Sequence, residues 1–312
     1  MAAAEPPPAV RSPDHHGAIL PIESRRLRAY LEILRPANVA TALADVLAGY
    51  ALTGLAPSSS LAWLLASTAC LYAGGIVLND VFDRRIDAVE RPERPIPSGR
   101  IRTSTAATLG AGLLGVGVLA ASQATGAAAL MAAAIVAAVL SYDAVTKPMA
   151  IVGPINMGLC RGLNLVLGMA AAPAAIRLHW PLALIPWIYI VGVTVVSRGE
   201  VAGGTKRAAA IALGLVDLSL VALVVVTMIG PGSPATAAVF LLILGWRIVP
   251  PFVEAWRDPQ PAHARRAVRA GVLSLVLVDA VIAAAYAGMI WGLAVLGTAL
   301  AAGWLARLFA VT

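Results

Sequence analysis

The chain alternates long apolar blocks with short polar or basic connectors. Ten blocks follow one another, at residues 34–55, 61–78, 104–121, 125–141, 153–174, 181–197, 207–230, 235–256, 268–289 and 291–308. Each approaches or exceeds the roughly 20 residues that a helix needs to cross a bilayer. A β-barrel strand would alternate apolar and polar positions, and no block does. Connectors as short as 121–126 and 230–234 imply tight helical hairpins. The expected fold is therefore all-α, a polytopic transmembrane helical bundle.

The first residues read differently. Residues 1–23 are rich in Pro and Ala and lack an apolar core, so they predict a disordered tail and not a signal peptide. His15 and His16 belong to this tail. Residues 24–312 then form a single transmembrane domain. Its opening stretch, 24–34, is amphipathic: Leu27, Tyr30, Leu31 and Leu34 share one face, and Arg25, Arg26 and Arg28 lie opposite. That pattern predicts an interfacial helix.

Composition fixes the environment. Hydrophobic residues make up 60% of the chain and charged residues 12%, against about 25% charged in a soluble domain. Mean hydropathy is +0.84. The basic residues then orient the bundle. Arg84, Arg85, Arg91, Arg94, Arg100 and Arg102 fall between the second and third blocks, and Lys147 between the fourth and fifth. Arg198, Lys206 and Arg207 surround the sixth gap, and Arg257, Arg265, Arg266 and Arg269 lie in or near the eighth. The opposite gaps carry only Arg177. This asymmetry predicts an integral, multi-pass protein of the inner or plasma membrane, with both termini cytoplasmic if there are ten spans. The net charge of +7 needs no nucleic acid; membrane lipids and an anionic substrate account for it. Cys70 and Cys160 fall inside spans without metal-ligand spacing, as small buried hydrophobes.

The second block runs directly into NDVFDRRID. Asn79, Asp83 and Asp87 are spaced by four, and each such step turns a helix direction by only about 40°, so they form one stripe with Asp80 at its edge. Carboxylates on one face repel unless a cation holds them, and hard oxygen ligands suit Mg²⁺. Alternatively, the acids cap a solvated helix end and pair with Arg84, Arg85, Arg91 and Arg94.

Charged and amide groups inside the blocks mark a protein-lined interior, because lipid exposure is costly. These are Asp45, Arg161, Asn164, Asp217, Arg247 and Asp279. Arg161 and Asn164 lie in GPINMGLCRGLNLVLG, where Gly158 and Gly162 predict a close helix approach. Asn38 and Asp45 are seven apart and share a face. After the Asp stripe, Pro92, Pro95 and Pro97 stop the helix, leaving Arg91, Arg94 and Arg100 free to turn towards the carboxylates. Between the fourth and fifth blocks stands YDAVTKP, which brings Tyr142, Asp143 and Lys147 to the same predicted surface.

NDVFDRRIDAVERPERPIPSGRI, preceded by RPANVATALADVLAGY and followed by YDAVTK, resembles the UbiA family of intramembrane prenyltransferases. The resemblance covers about residues 33 to 290 and includes the family's complete NDxxDxxxD pattern. DVLAGY, ERPERPIPSGR, GLCRGLN and SRGEV look most like its EboC-like branch. The resemblance implies a central cavity that opens sideways to lipid under a cytoplasmic cap, and nine spans where ten blocks are counted, so the expected bundle has nine to ten spans, with one block a broken helix or the last an addition. It implies Mg²⁺-dependent transfer of a prenyl group from a prenyl diphosphate to a lipophilic or aromatic acceptor. Asn79, Asp80, Asp83 and Asp87 would hold the metal. Asp83, Asp87, Lys147, Tyr142 and Glu200 would be catalytic. Arg35, Asn38, Arg94, Arg161, Asn164 and Arg198 would contact substrates. The chain departs from the family at the second Asp-rich motif, which here reads SRGEVAGGTKR with Glu200 as its one carboxylate. That departure favours an alternative, a non-catalytic relative that binds or moves a lipophilic precursor. An ion-coupled transporter using Asp45, Asp217 and Asp279 is a further alternative, weakened by the lack of an obvious inverted repeat.

Overall fold

The computed structural model describes residues 22–309; residues 1–21 of the expected tail lie outside them, and its last two, Ile22 and Glu23, already belong to the first helix. Among the described residues the chain is helical, without strands. Helices α1 (Ile22–Leu34), α2 (Pro36–Ala51), α3 (Ser59–Glu90), α4 (Thr103–Ala124), α5 (Gly126–Ser141) and α6 (Val152–Met169) form the first half. The second half holds α7 (Pro173–His179), α8 (Leu184–Ser197), α9 (Lys206–Ile229), α10 (Pro234–Arg257), α11 (Pro261–Ala287) and α12 (Met289–Phe309). All ten apolar blocks are helical, and seven helical segments are long and apolar enough to cross a membrane by length and composition. This is a multi-pass membrane protein. The outward faces are apolar, with Leu119, Leu130, Leu242, Trp246 and Leu300 exposed, as lipid requires.

Several boundaries differ from the sequence expectation for local reasons. The first block is divided at Arg35, which adopts left-handed backbone angles (φ 45°, ψ 62°). Pro36 cannot donate to the preceding turn, so α1 ends and α2 begins at a new angle. The third connector shrinks to Thr125, whose hydroxyl accepts from the amide of Ala128 and caps α5. The sixth block is α8 extended backwards through a short 3₁₀ turn and α7, giving one candidate span from Pro173 to Ser197. Helix α3 does not stop at the membrane rim. At ~1.5 Å per residue its 32 residues reach about 48 Å, beyond the roughly 30 Å hydrocarbon layer. The Asp stripe rides on this overhang.

Helix α11 is the most enclosed, with Leu275 to Ala285 continuously buried. One apolar core surrounds it with α8, α9 and α10; a second joins α3, α4 and α5; α2 and α6 contribute to both. These two helices cross in backbone contact. A Cβ on Gly49 would fall 2.0 Å from the Leu165 carbonyl oxygen, and one on Gly168 would fall 2.3 Å from that of Val46. Gly158 and Gly162 serve the expected close approach as well, facing Trp187 and the Ala183 carbonyl beside α8.

Candidate functional site

A cavity of about 430 Å³ opens between α2, α3, α5, α6, α8 and α11. Its walls are largely apolar, including Leu71, Ile76, Ile135, Val139, Ile190 and Val193. The polar groups gather at two levels. Arg35, Asn38, Asn79, Tyr142, Asp143 and Lys147 line the mouth, and Thr41, Thr68, Arg161 and Asn164 lie deeper.

The mouth is built by the end of α3, the Arg35 break, the 91–102 loop and a single π-helical turn over Tyr142–Thr146. Such turns commonly redirect side chains at functional sites. Here the turn presents Tyr142, Asp143 and Lys147 to the cavity. Asn79 donates to Asp143 at 2.7 Å, which leaves the Asn79 carbonyl oxygen available. Lys147 pairs with Asp83. Asp80, only 4% exposed, accepts from Arg35 at 2.6 Å and from Arg94 at 3.4 Å. Arg94 also donates to Asp87 at 2.7 Å.

Each stripe carboxylate is thus matched with a cation, but only one of the partners is among those that sequence proximity suggested. Arg94 takes part as expected. Arg35 and Lys147 arrive from distant segments, while Arg84 donates to the carbonyl of Val81. Arg100 turns away from the stripe to Glu32, at 2.5 Å, and to the Glu93 carbonyl. It fastens the interfacial helix to the 91–102 loop. Among the described residues, no three acidic, histidine or cysteine side chains converge as a metal cage. The donors are nevertheless all hard oxygens, and they fit a Mg²⁺ ion that takes much of its coordination from phosphate and water.

The residues of the altered second motif lie to one side. Arg198 does not line this cavity. Its guanidinium donates to the carbonyls of Met149 (2.6 Å) and Lys147 (3.3 Å), holding the turn that carries Lys147. Glu200 is also absent from the lining. Its carbonyl accepts from Arg265 at 2.7 Å. Burial raises its carboxyl above the ordinary glutamate range, against the opposing charges of Arg265 and Arg91. Arg198 instead borders a separate apolar groove with Gly203, Gly204 and Thr205.

At the deeper level Asn164 donates to Asp45 (2.8 Å) and to the Ala42 carbonyl (2.9 Å), and accepts from Thr68 (2.7 Å). Arg161 lies 3.0 Å from Asp45, donates to the Thr41 carbonyl, and sits over the Tyr72 ring at 5.7 Å. Asp279 of α11 stands beside Asp45. Asp217 faces outward on α9 and is remote from this group. Among the cavity residues that the sequence left without a role are Thr41, Thr68, Tyr72 and Asp143. Asp143 carried a signal, since it stands within YDAVTK; Tyr72 lies in an apolar run and carried none.

Comparisons with known proteins agree with this architecture. Residues 39–268 match the model of the UbiA prenyltransferase family. A digeranylgeranylglyceryl phosphate synthase of Thermococcus gammatolerans is 33% identical over 188 residues, covering 59% of this chain and 67% of that protein. One from Ignicoccus hospitalis is 46% identical over 86 residues, 28% of each chain. The chain thus spans under a third of the Ignicoccus relative's length. Among solved structures, the apo form of a UbiA homologue from Aeropyrum pernix K1 aligns with a TM-score of 0.67 at 17% identity, covering 78% of this chain and 96% of that one. A homologue from Archaeoglobus fulgidus bound to DMAPP and Mg²⁺ aligns with a TM-score of 0.61 at 18% identity, covering 81% and 98%. The family match across most of the chain, the shared fold and the complete first motif together place this protein in the UbiA prenyltransferase family.

Proposed function

We propose that this protein is an intramembrane prenyltransferase that moves a prenyl group from a prenyl diphosphate to a lipophilic or aromatic acceptor. The observation that carries the reading is the mouth itself: three cations, Arg35, Arg94 and Lys147, and a set of hard oxygen donors share one rim above an apolar cavity. A diphosphate needs both kinds of group, and a prenyl chain needs apolar walls.

Asn79, Asp83 and Asp87, with Asp80 behind them, would hold Mg²⁺, which neutralises diphosphate charge and favours its departure when bound. Lys147 and Arg94 exchange their carboxylate partners for phosphate oxygens. Arg198 acts as a positioning residue through the Lys147 backbone. The bond between the prenyl C1 and the bridging oxygen breaks, and its electron pair leaves with the diphosphate. The acceptor then bonds to C1, and its displaced proton passes to the diphosphate or to water at the mouth. The Tyr142 ring faces the allylic cation and stabilises it. Leu71, Ile135 and Val193 keep competing water out. Arg35 and Asn38 contact the acceptor side, and Arg161 and Asn164 bound the cavity below. We read residues 24–312 as one domain and both termini, like the mouth, as cytoplasmic.

The position of Glu200 outside the cavity lining supports a second reading, a carrier of lipophilic precursors that performs no chemistry. Incubation of the purified full-length protein with labelled prenyl diphosphates and a lipid extract of its source tests the choice. Mg²⁺-dependent release of inorganic diphosphate supports transfer; its absence with every chain length tried removes it.

A further inference from the structure

The deeper polar level is a floor with an unusual charge balance. Tyr72, whose ring lies under the Arg161 guanidinium, stands two turns before Asn79 on α3, about 10 Å along the helix axis at ~1.5 Å per residue. A small acceptor head fits that interval, with one end at the mouth and the other on the floor. The floor presents Arg161, Asn164, Thr41 and Thr68.

Arg161 resembles an anion receptor, yet its charge is already taken. Asp45, fully buried, lies 3.0 Å from its Nε. Asp279, also fully buried, adds a second carboxyl group beside Asp45. Both Asp279 oxygens, Oδ1 of Asp45 and Nε of Arg161 lack hydrogen-bond partners among the described residues, so Arg161 meets Asp45 as a charge contact. A hydrogen shared between the two carboxyl groups joins one Asp279 oxygen to Asp45 and leaves the cluster neutral; without it the cluster carries one negative charge. In neither state is the floor positive. A carboxylate or phosphate placed there would be desolvated without a net counter-charge, which is strongly unfavourable. A hydroxyl group can instead accept from Arg161 and donate to the free lone pairs of Thr68 Oγ1 or Asn164 Oδ1.

We propose that the floor takes the neutral, hydroxyl-bearing head of an acceptor (an alcohol, phenol or quinol) and rejects an acceptor that places a carboxylate or phosphate there. This deepens the transferase reading and rests on it. Asp45 and Asp279 are positioning residues: they fix Arg161 and cancel its charge.

Two matched probe pairs test the proposal by calorimetry on the full-length protein in nanodiscs. These are 4-hydroxybenzyl alcohol against 4-hydroxybenzoate, and 1-O-octylglycerol against its phosphate ester. Titrations are run in the presence of Mg²⁺ and farnesyl thiodiphosphate, whose own binding is measured first. Failure of the thiodiphosphate to bind counts against the transferase reading; the probe ratios report on the floor. We expect the neutral member of at least one pair to bind about tenfold or more tighter than its anion. Equal or tighter binding of the anion in either pair overturns the proposal, as does absence of binding by all four probes. Asp45→Asn removes a negative charge and should shift the ratio towards the anion. Should that variant not fold, the native comparison decides alone.

Discussion

The guanidinium of Arg35 lies 2.6 Å from a carboxylate oxygen of Asp80. Arg35 reaches it from a left-handed backbone position at the break between α1 and α2, a conformation that costs a non-glycine residue of order 1–3 kcal/mol. The contact ties the interfacial helix, the first span and the Asp stripe together. Since Arg94 holds the same carboxylate and also Asp87, the rim is a closed set of ion pairs. An incoming diphosphate and its metal can exchange partners with that set without stranding a buried charge.

The stripe acid least committed to arginine is Asp83, whose partner is Lys147. We expect Asp83→Ala to weaken binding of pyrophosphate with Mg²⁺ by about tenfold or more, while the thermal unfolding profile stays close to native. Asp217→Asn, on the outer face of α9, should leave that affinity unchanged. Calorimetry in detergent compares the two. Equal affinity in native protein and Asp83→Ala would return the stripe to the role of a capped helix end.

The α2–α6 crossing sets where Asn164 and Arg161 stand. Gly168→Ala pushes a methyl into the Val46 carbonyl and should destabilise by about 1–3 kcal/mol. Gly245→Ala on α10, where a Cβ meets nothing within 4 Å, should be neutral or slightly stabilising. Denaturant unfolding of the two variants in the same detergent gives the comparison.

Much of this was legible in the sequence because membrane helices write their period plainly. The ten apolar blocks mapped onto helices, and NDVFDRRID was visible as one helix face. The partners of that face were not legible. Arg35 and Lys147 come from segments far along the chain, and only the Arg35 break and the π-helical turn bring them in. Asp45 and Asp279 were visible as buried acids, but nothing in their spacing could tell that they meet across α2 and α11. Glu200 and Arg198 were assigned by the motif they replace, and the backbone of 198–205 carries both away from the cavity lining.

Glu200 carries a pH signature. Burial raises its folded-state pKa above the unfolded value, so the native state holds its proton more tightly. Stability from this group is present below the unfolded pKa and is lost as pH rises through the raised one. Glu200→Gln removes the penalty. The variant should melt slightly higher than native protein near pH 7–8, and the gap should close as pH falls towards about 4. A variant that melts lower than native at neutral pH would mean that the Arg265 and Arg91 charges outweigh burial.

Orientation follows from the basic connectors. In a Cys70→Ala, Cys160→Ala background, a membrane-impermeant thiol reagent applied to intact cells should label Ser233→Cys and spare Ser98→Cys. The opposite pattern would reverse the bundle and put the Asp stripe outside.

The central claim is that the bond between prenyl and diphosphate breaks at this mouth. A prenyl diphosphate labelled with ¹⁴C in the chain and ³²P in the diphosphate, supplied to the full-length protein with Mg²⁺ and source lipids, reads that event directly. The account predicts one equivalent of free [³²P]diphosphate for each ¹⁴C chain transferred to a lipid product, and loss of both in Asp83→Asn. Recovery of the two labels still joined, moved between vesicles without cleavage, would contradict it and leave a carrier.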